Sequence, residues 1–83
     1  MKLRTGVYLV DVDYGTALLD EECGKYWNLN PTGALILEKL LAGGTVEDTA
    51  RALAEEYAVD LGSAERDVGE LVDELCSAGL VKP

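Results

Sequence analysis

Val7 to Val12 reads VYLVDV, an imperfect alternation rich in β-formers, and it predicts a strand over 7–12. Asp13-Tyr14-Gly15 is a turn signal, after which Thr16 to Asp20 (TALLD) predicts a second strand over 16–20. Glu21-Glu22-Cys23-Gly24 offers another turn, with glycine free to take a positive φ. Lys25 to Leu29 (KYWNL) predicts a third strand over 25–29. Three short strands on short turns make an antiparallel meander.

The pattern then changes period. Asn30-Pro31 signals a helix start, because asparagine caps well and the missing proline N–H costs nothing at the first helical position. The helix is predicted over 31–42, with Ala34, Leu35, Ile36, Leu37, Leu40 and Leu41 around most of its circumference, and Gly43-Gly44 ends it. A second helix is predicted over 45–57, with Thr45 and Asp48 as a capping-box pair and an apolar stripe at Val46, Ala50, Leu53 and Tyr57. A third, capped by Asp60 or Ser63, is predicted over 63–79 with the stripe Ala64, Val68, Leu71, Val72, Leu75 and Gly79. Leu80-Val81 reads as a chain end folding back onto the core. Strands followed by helices predict an α+β domain, a three-stranded antiparallel sheet followed by three helices, occupying residues 1–83 as one unit.

Composition narrows what such a domain does. The formal charge is −9, with 16 acidic residues against 7 basic ones and no histidine. That field repels a phosphate backbone, so a neutral or basic partner is expected and no nucleic acid. Without histidine the usual general base is missing, no other catalytic constellation appears, and the chain is expected not to be an enzyme. Cys23 and Cys76 lie far apart with no companion ligands, so neither a metal nor a cofactor is expected. Met1-Lys2-Leu3-Arg4 is basic but no apolar signal core follows, and no run approaches the roughly 20 residues of a membrane span, so a cytoplasmic protein without membrane contact is expected.

The third strand is the most informative segment. Tyr26 and Trp27 are neighbours, so they face opposite sides of the sheet, and Leu29 shares a face with Trp27. One reading makes Trp27 a core residue and Tyr26 a surface ring. The other makes the strand an open edge whose unpaired N–H and C=O groups accept a further strand. The third helix carries Glu65, Asp67, Glu70, Asp73 and Glu74 against the single Arg66. Glu70, Asp73 and Arg66 lie opposite the apolar stripe, whereas Asp67 and Glu74 flank it on one side. A groove beside this helix would have an apolar floor and an acidic rim.

The run YGTALLDEECGKYWNLNPTGALILEKLLAGGTVEDTARALAEEY resembles the PqqD-like peptide chaperones, in particular the stand-alone recognition proteins of lasso-peptide biosynthesis. The most specific part is Leu18-Leu19-Asp20 followed by Gly24-Lys25-Tyr26-Trp27-Asn28-Leu29-Asn30-Pro31-Thr32-Gly33. The resemblance implies a winged helix-turn-helix-like domain that binds the leader segment of a ribosomally made precursor peptide. It implies that the leader adds as a strand beside Lys25, Tyr26, Trp27, Asn28 and Leu29. It further implies a cleft walled by Asp67, Val68, Leu71, Val72, Glu74 and Leu75, and presentation of the precursor to a transglutaminase-like leader peptidase.

Two other readings compete. A winged-helix nucleic-acid-binding or regulatory protein has the right element order, but a recognition helix carries cations or amides toward its target, and this one carries five carboxylates. A carrier protein needs a serine directly after an aspartate at a helix start, which Asp60-Leu61-Gly62-Ser63 lacks.

Overall fold

The chain turns from sheet to helix at Asn30-Pro31, and the rest of the fold is arranged about that pivot. The structure, a computed structural model, describes residues 1–13 and 15–82. In order, the elements are β1 (Lys2–Leu3), β2 (Val7–Val12), β3 (Gly15–Asp20), β4 (Lys25–Leu29), α1 (Pro31–Leu41), α2 (Val46–Tyr57), α3 (Leu61–Ser77) and β5 (Val81–Lys82). β2, β3 and β4 form a three-stranded antiparallel sheet in chain order, and the three helices follow it in a winged-helix-like α+β arrangement. Tyr14, the middle residue of the first turn signal, lies outside the described residues.

The register sets which backbone groups remain free. Val7 pairs with Asp20 and Val12 with Gly15, while Thr16 pairs with Leu29 and Asp20 with Lys25. The Glu21 N–H donates to the Gly6 carbonyl at 2.9 Å, which makes Gly6 and Glu21 a hydrogen-bonded pair in the same register. Antiparallel pairs alternate between bonded and non-bonded. Tyr8, Val10 and Val12 therefore bond to β3, whereas Leu9 and Asp11 turn their N–H and C=O groups outward. On the other side Lys25, Trp27 and Leu29 bond to β3, and Tyr26 and Asn28 turn theirs outward.

Side chains follow the same period of two. Val7, Leu18 and Leu29 point to the helices and are buried. Tyr8 and Tyr26, on the opposite face, are exposed. Gly15 begins β3 where a Cβ would stand 2.7 Å from the Leu29 carbonyl oxygen, and its φ of +148° suits only glycine. Here β3 and the end of β4 approach too closely for any side chain.

The core has two connected parts. Val7, Leu18, Leu29, Leu37, Leu75, Leu80 and Val81 pack between sheet and helices. Ile36, Leu40, Ala50, Leu53, Ala64 and Val68 pack among the helices. α1 contributes to both, as expected of a helix with apolar residues on most of its surface.

Each helix start has its cap. Asn30 Oδ1 accepts from the Gly33 N–H at 2.7 Å, Thr45 Oγ1 from Asp48 at 3.0 Å and Asp60 Oδ2 from Ser63 at 2.9 Å. Asp60, not Ser63, is the cap of α3, so that helix begins at Leu61, two residues ahead of the expected start. Two other expectations need correcting. The α2 stripe is buried only at Ala50 and Leu53, while Val46 and Tyr57 are each 43% exposed, because α2 is covered only through its middle turns. Leu80 and Val81 do return to the core, but Val81 does so as a strand: β5 pairs with β1 through Leu3↔Val81 and Lys2↔Lys82. Two-residue strands are too short to show a period, so the sequence carried no sign of this ribbon.

Candidate functional site

β4 is the last strand of its sheet, and among the described residues it pairs with β3 alone. Its open side presents the N–H and C=O groups of Tyr26 and Asn28. Its helix-facing side chains are Lys25, Trp27 and Leu29, of which Leu29 is buried and Trp27 is 36% exposed. Trp27 is thus neither core nor free surface, and Tyr26 on the outer face is 64% exposed.

α3 supplies the facing wall. Asp67, Leu71, Glu74 and Ala78 recur at i, i+4, i+7 and i+11 and form one row along that helix and its C-cap. Two cavities lie along this side of the molecule. One, of about 200 Å³, sits between the start of α1 and the middle of α3, lined by Asn30, Thr32, Gly33, Ile36, Asp67 and Leu71. The other, of about 270 Å³, lies where β4 faces the link from α3 to β5, with Lys25, Trp27, Cys23, Ala78 and Leu80 among its walls. Together they mark a groove with apolar walls and carboxylates at its margin.

The structure divides the predicted site residues into three groups. Lys25, Tyr26, Trp27 and Asn28 are exposed on β4, and Asp67 and Leu71 line the first cavity with the exposed Glu74 in the same row. Val68 and Leu75 are fully buried and Leu29 nearly so, so these three brace the site from behind and offer it almost no surface. Val72 packs with the cluster shared by α2. The reason is angular. Successive residues on a helix step by about 100°, so the stripe Ala64, Val68 and Leu75 points into the core while Asp67, Leu71 and Glu74 sit on its flank, in the row that ends at Ala78 beside Lys25 and Trp27 of β4. Thr32, Ala78 and Leu80 are among the lining residues that sequence reasoning missed. Ala78 was findable, since it continues the Asp67–Leu71–Glu74 row; the other two come from separate elements with no shared period.

An ion-pair knot fixes the lower end of the groove. Arg4 donates to Asp20 Oδ2 at 2.6 Å, to Glu22 Oε2 at 3.0 Å and, through Nε, to the Gly79 carbonyl at 2.6 Å. Asp20 Oδ1 in turn accepts from the Glu22 and Cys23 N–H groups. One guanidinium therefore ties the N-terminal segment to the β3–β4 turn and to the end of α3. The hydrogen bond to Asp20 raises the Arg4 pKa above its ordinary value. Burial pushes the Asp20 carboxyl up, but the Arg4 guanidinium and the Cys23 N–H together outweigh it and hold the group below the usual carboxylate range. Cys23 and Cys76 are free and exposed, and among the described residues no cluster could hold a metal ion. No described helix is long and apolar enough to cross a membrane.

Two solved structures resemble this one closely. One is described as lasso peptide synthetase B1 complexed with the leader peptide; it is 43% identical with a TM-score of 0.93, over 99% of this chain and 96% of that one. The other is described as TbiB1 in complex with the TbiA(beta) leader peptide; it is 29% identical with a TM-score of 0.87, over 99% of this chain and 95% of that one. No curated protein matches the sequence. The family described as Coenzyme PQQ synthesis protein D (PqqD) matches residues 15–81, which takes in β3, β4 and all three helices, and so both walls of the groove, but not β2. The chain belongs to the PqqD family.

Proposed function

We propose that this protein binds the leader segment of a ribosomally made precursor peptide of the lasso type, as a strand added to β4, and presents it to a leader peptidase without catalysing a reaction itself. The observation that carries the reading is the coincidence, along one side of the molecule, of an open strand edge and an apolar groove. The free N–H and C=O groups of Tyr26 and Asn28 give a leader its main-chain partners. Trp27, Leu71 and Ala78 give it apolar surface to cover. The two leader-bound relatives support the same use of this fold.

Magnitudes show why both parts are needed. Two residues with one N–H and one C=O each offer four backbone bonds, at about 1 kcal/mol net apiece. That total of about 4 kcal/mol corresponds to roughly millimolar binding before ordering costs. Micromolar binding therefore needs two or three apolar anchors in the groove, each contributing about 1.5–3 kcal/mol. With Asp67 and Glu74 at the rim, the leader is expected to carry basic residues beside those anchors.

The test is a fluorescence-anisotropy titration of a labelled leader from the cognate precursor. Binding at micromolar protein is expected, with weakening by a charged residue at Leu71. A folded protein that leaves the leader unbound at tens of micromolar would refute the reading. Presentation is tested separately. Leader cleavage by the cognate peptidase should accelerate when this protein is added, and an unchanged rate would confine its role to binding.

A further inference from the structure

We propose that the opposite edge of the sheet is a second strand-addition site, built for an extended segment of a partner protein with an apolar and a basic residue two positions apart. β2 is the other terminal strand, and among the described residues it pairs with β3 alone, in six unbroken register pairs from Val7↔Asp20 to Val12↔Gly15. Its outward N–H and C=O groups belong to Leu9 and Asp11, by the same alternation that frees Tyr26 and Asn28 on β4.

Those two residues also face the helices, where a cleft of about 200 Å³ opens between β2 and α1. Leu9, Ala34 and Leu37 supply its apolar surface, and Asp11 and Glu38 its charge. Leu9 is 46% exposed, unusual for a leucine on the core-facing side of a sheet. The edge thus repeats, against α1, the pairing of open backbone and partly covered apolar wall that β4 makes against α3.

The chemistry of the occupant follows from Asp11. An inward-pointing charge on an edge strand blocks indiscriminate addition, because an apolar strand would bury it unpaired. Among the described residues neither Asp11 nor Glu38 takes part in an ion pair. A lysine or arginine on the added strand would satisfy both carboxylates, and side chains two positions apart share a face, so an apolar neighbour would then lie over Leu9. A second copy of this chain is disfavoured, since its net charge of −9 brings carboxylate against carboxylate. The inference goes beyond leader binding at β4 and does not depend on it.

The probe is an acetylated, amidated synthetic peptide, Ser-Thr-Leu-Thr-Lys-Thr-Ser, titrated into the isotope-labelled full chain to roughly 2 mM, the range expected for a single short strand. Amide shifts are expected at Leu9, Asp11 and Glu38 with Tyr26 and Asn28 unmoved. Asp11→Lys, an exposed position, should keep the fold and weaken the peptide about tenfold. Glu38→Lys, also exposed, should act in the same direction. Several outcomes would each overturn the proposal: no shift at the highest concentration, shifts confined to β4, unchanged affinity in Asp11→Lys, or β2 already occupied by a second copy in the free protein.

Discussion

Trp27 gives the sharpest test of the groove, because it is the only tryptophan in the chain and reports on itself. It is 36% exposed. A tryptophan can bury up to about 250 Å², so the exposed remainder is about 90 Å². At about 25 cal/mol per Å², covering it contributes about 2 kcal/mol, or roughly thirtyfold in Kd. The larger, already covered part lies on the inner face of the sheet beside Leu18, so Trp27→Ala would cost the fold about 3–5 kcal/mol, a large share of a small domain's stability. Trp27→Leu is the better perturbation, since leucine retains much of the inner packing over Leu18, its cross-strand partner, and gives up most of the exposed surface. The expected result is leader binding weaker by roughly tenfold to thirtyfold, with the far-ultraviolet spectrum preserved. In the wild type, leader addition should shift Trp27 emission to the blue as water is displaced from the ring. Unchanged affinity in Trp27→Leu, together with unshifted emission in the wild type, would mean that the leader does not cover Trp27 and would move the site away from the face between β4 and α3.

Val68 is fully buried behind the groove wall, so Val68→Ala should destabilise the protein by about 2–3 kcal/mol in urea unfolding yet leave leader affinity within about twofold where the variant is folded; a larger binding loss would mean Val68 reaches the peptide. Asn30→Ala removes the acceptor for the Gly33 N–H at the pivot between sheet and α1, and is expected to cost about 1 kcal/mol and lower Tm by about 4–8 °C in a thermal melt. Asp20 is ionised more readily in the folded chain than in the unfolded one, so the native state binds fewer protons and stability rises with pH across that window. Its contribution is therefore fully present above the ordinary carboxylate pKa of about 4 and is lost as pH falls through the lower folded value. Asp20→Asn should flatten the acid limb of a stability-against-pH curve, and an unaltered limb would show that the knot around Arg4 does not govern it.

Much of the fold was legible because local rules and tertiary packing agree. Asn30-Pro31 announced α1, and the cap is made by Asn30 as its chemistry requires. VYLVDV, TALLD and KYWNL each keep a strand's period, and each forms one. The failures occur where an outcome depends on what lies opposite. Val46 and Tyr57 fit the α2 stripe but find no neighbour at the helix ends. Val68, Val72 and Leu71 all belong to the apolar stripe of α3, and a helical wheel does not say which flank of that stripe will face a strand.

The strands β2 to β4, the three helices, the acidic surface and the absence of a catalytic histidine follow from residue type and near-neighbour spacing alone, whereas the β1–β5 ribbon does not. The sequence by itself also placed Tyr26 and Trp27 on opposite faces, which the period of two dictates. Only the tertiary structure decided that β4 ends its sheet and which backbone groups point outward, because strand order and hydrogen-bond phase depend on partners distant in sequence. It also decided the joining of Arg4, Asp20 and Gly79, residues up to 75 positions apart, into the clamp at the end of the groove. Spacing along the chain can propose a surface, but the surface exists only once packing has chosen which side of each helix and strand stays uncovered.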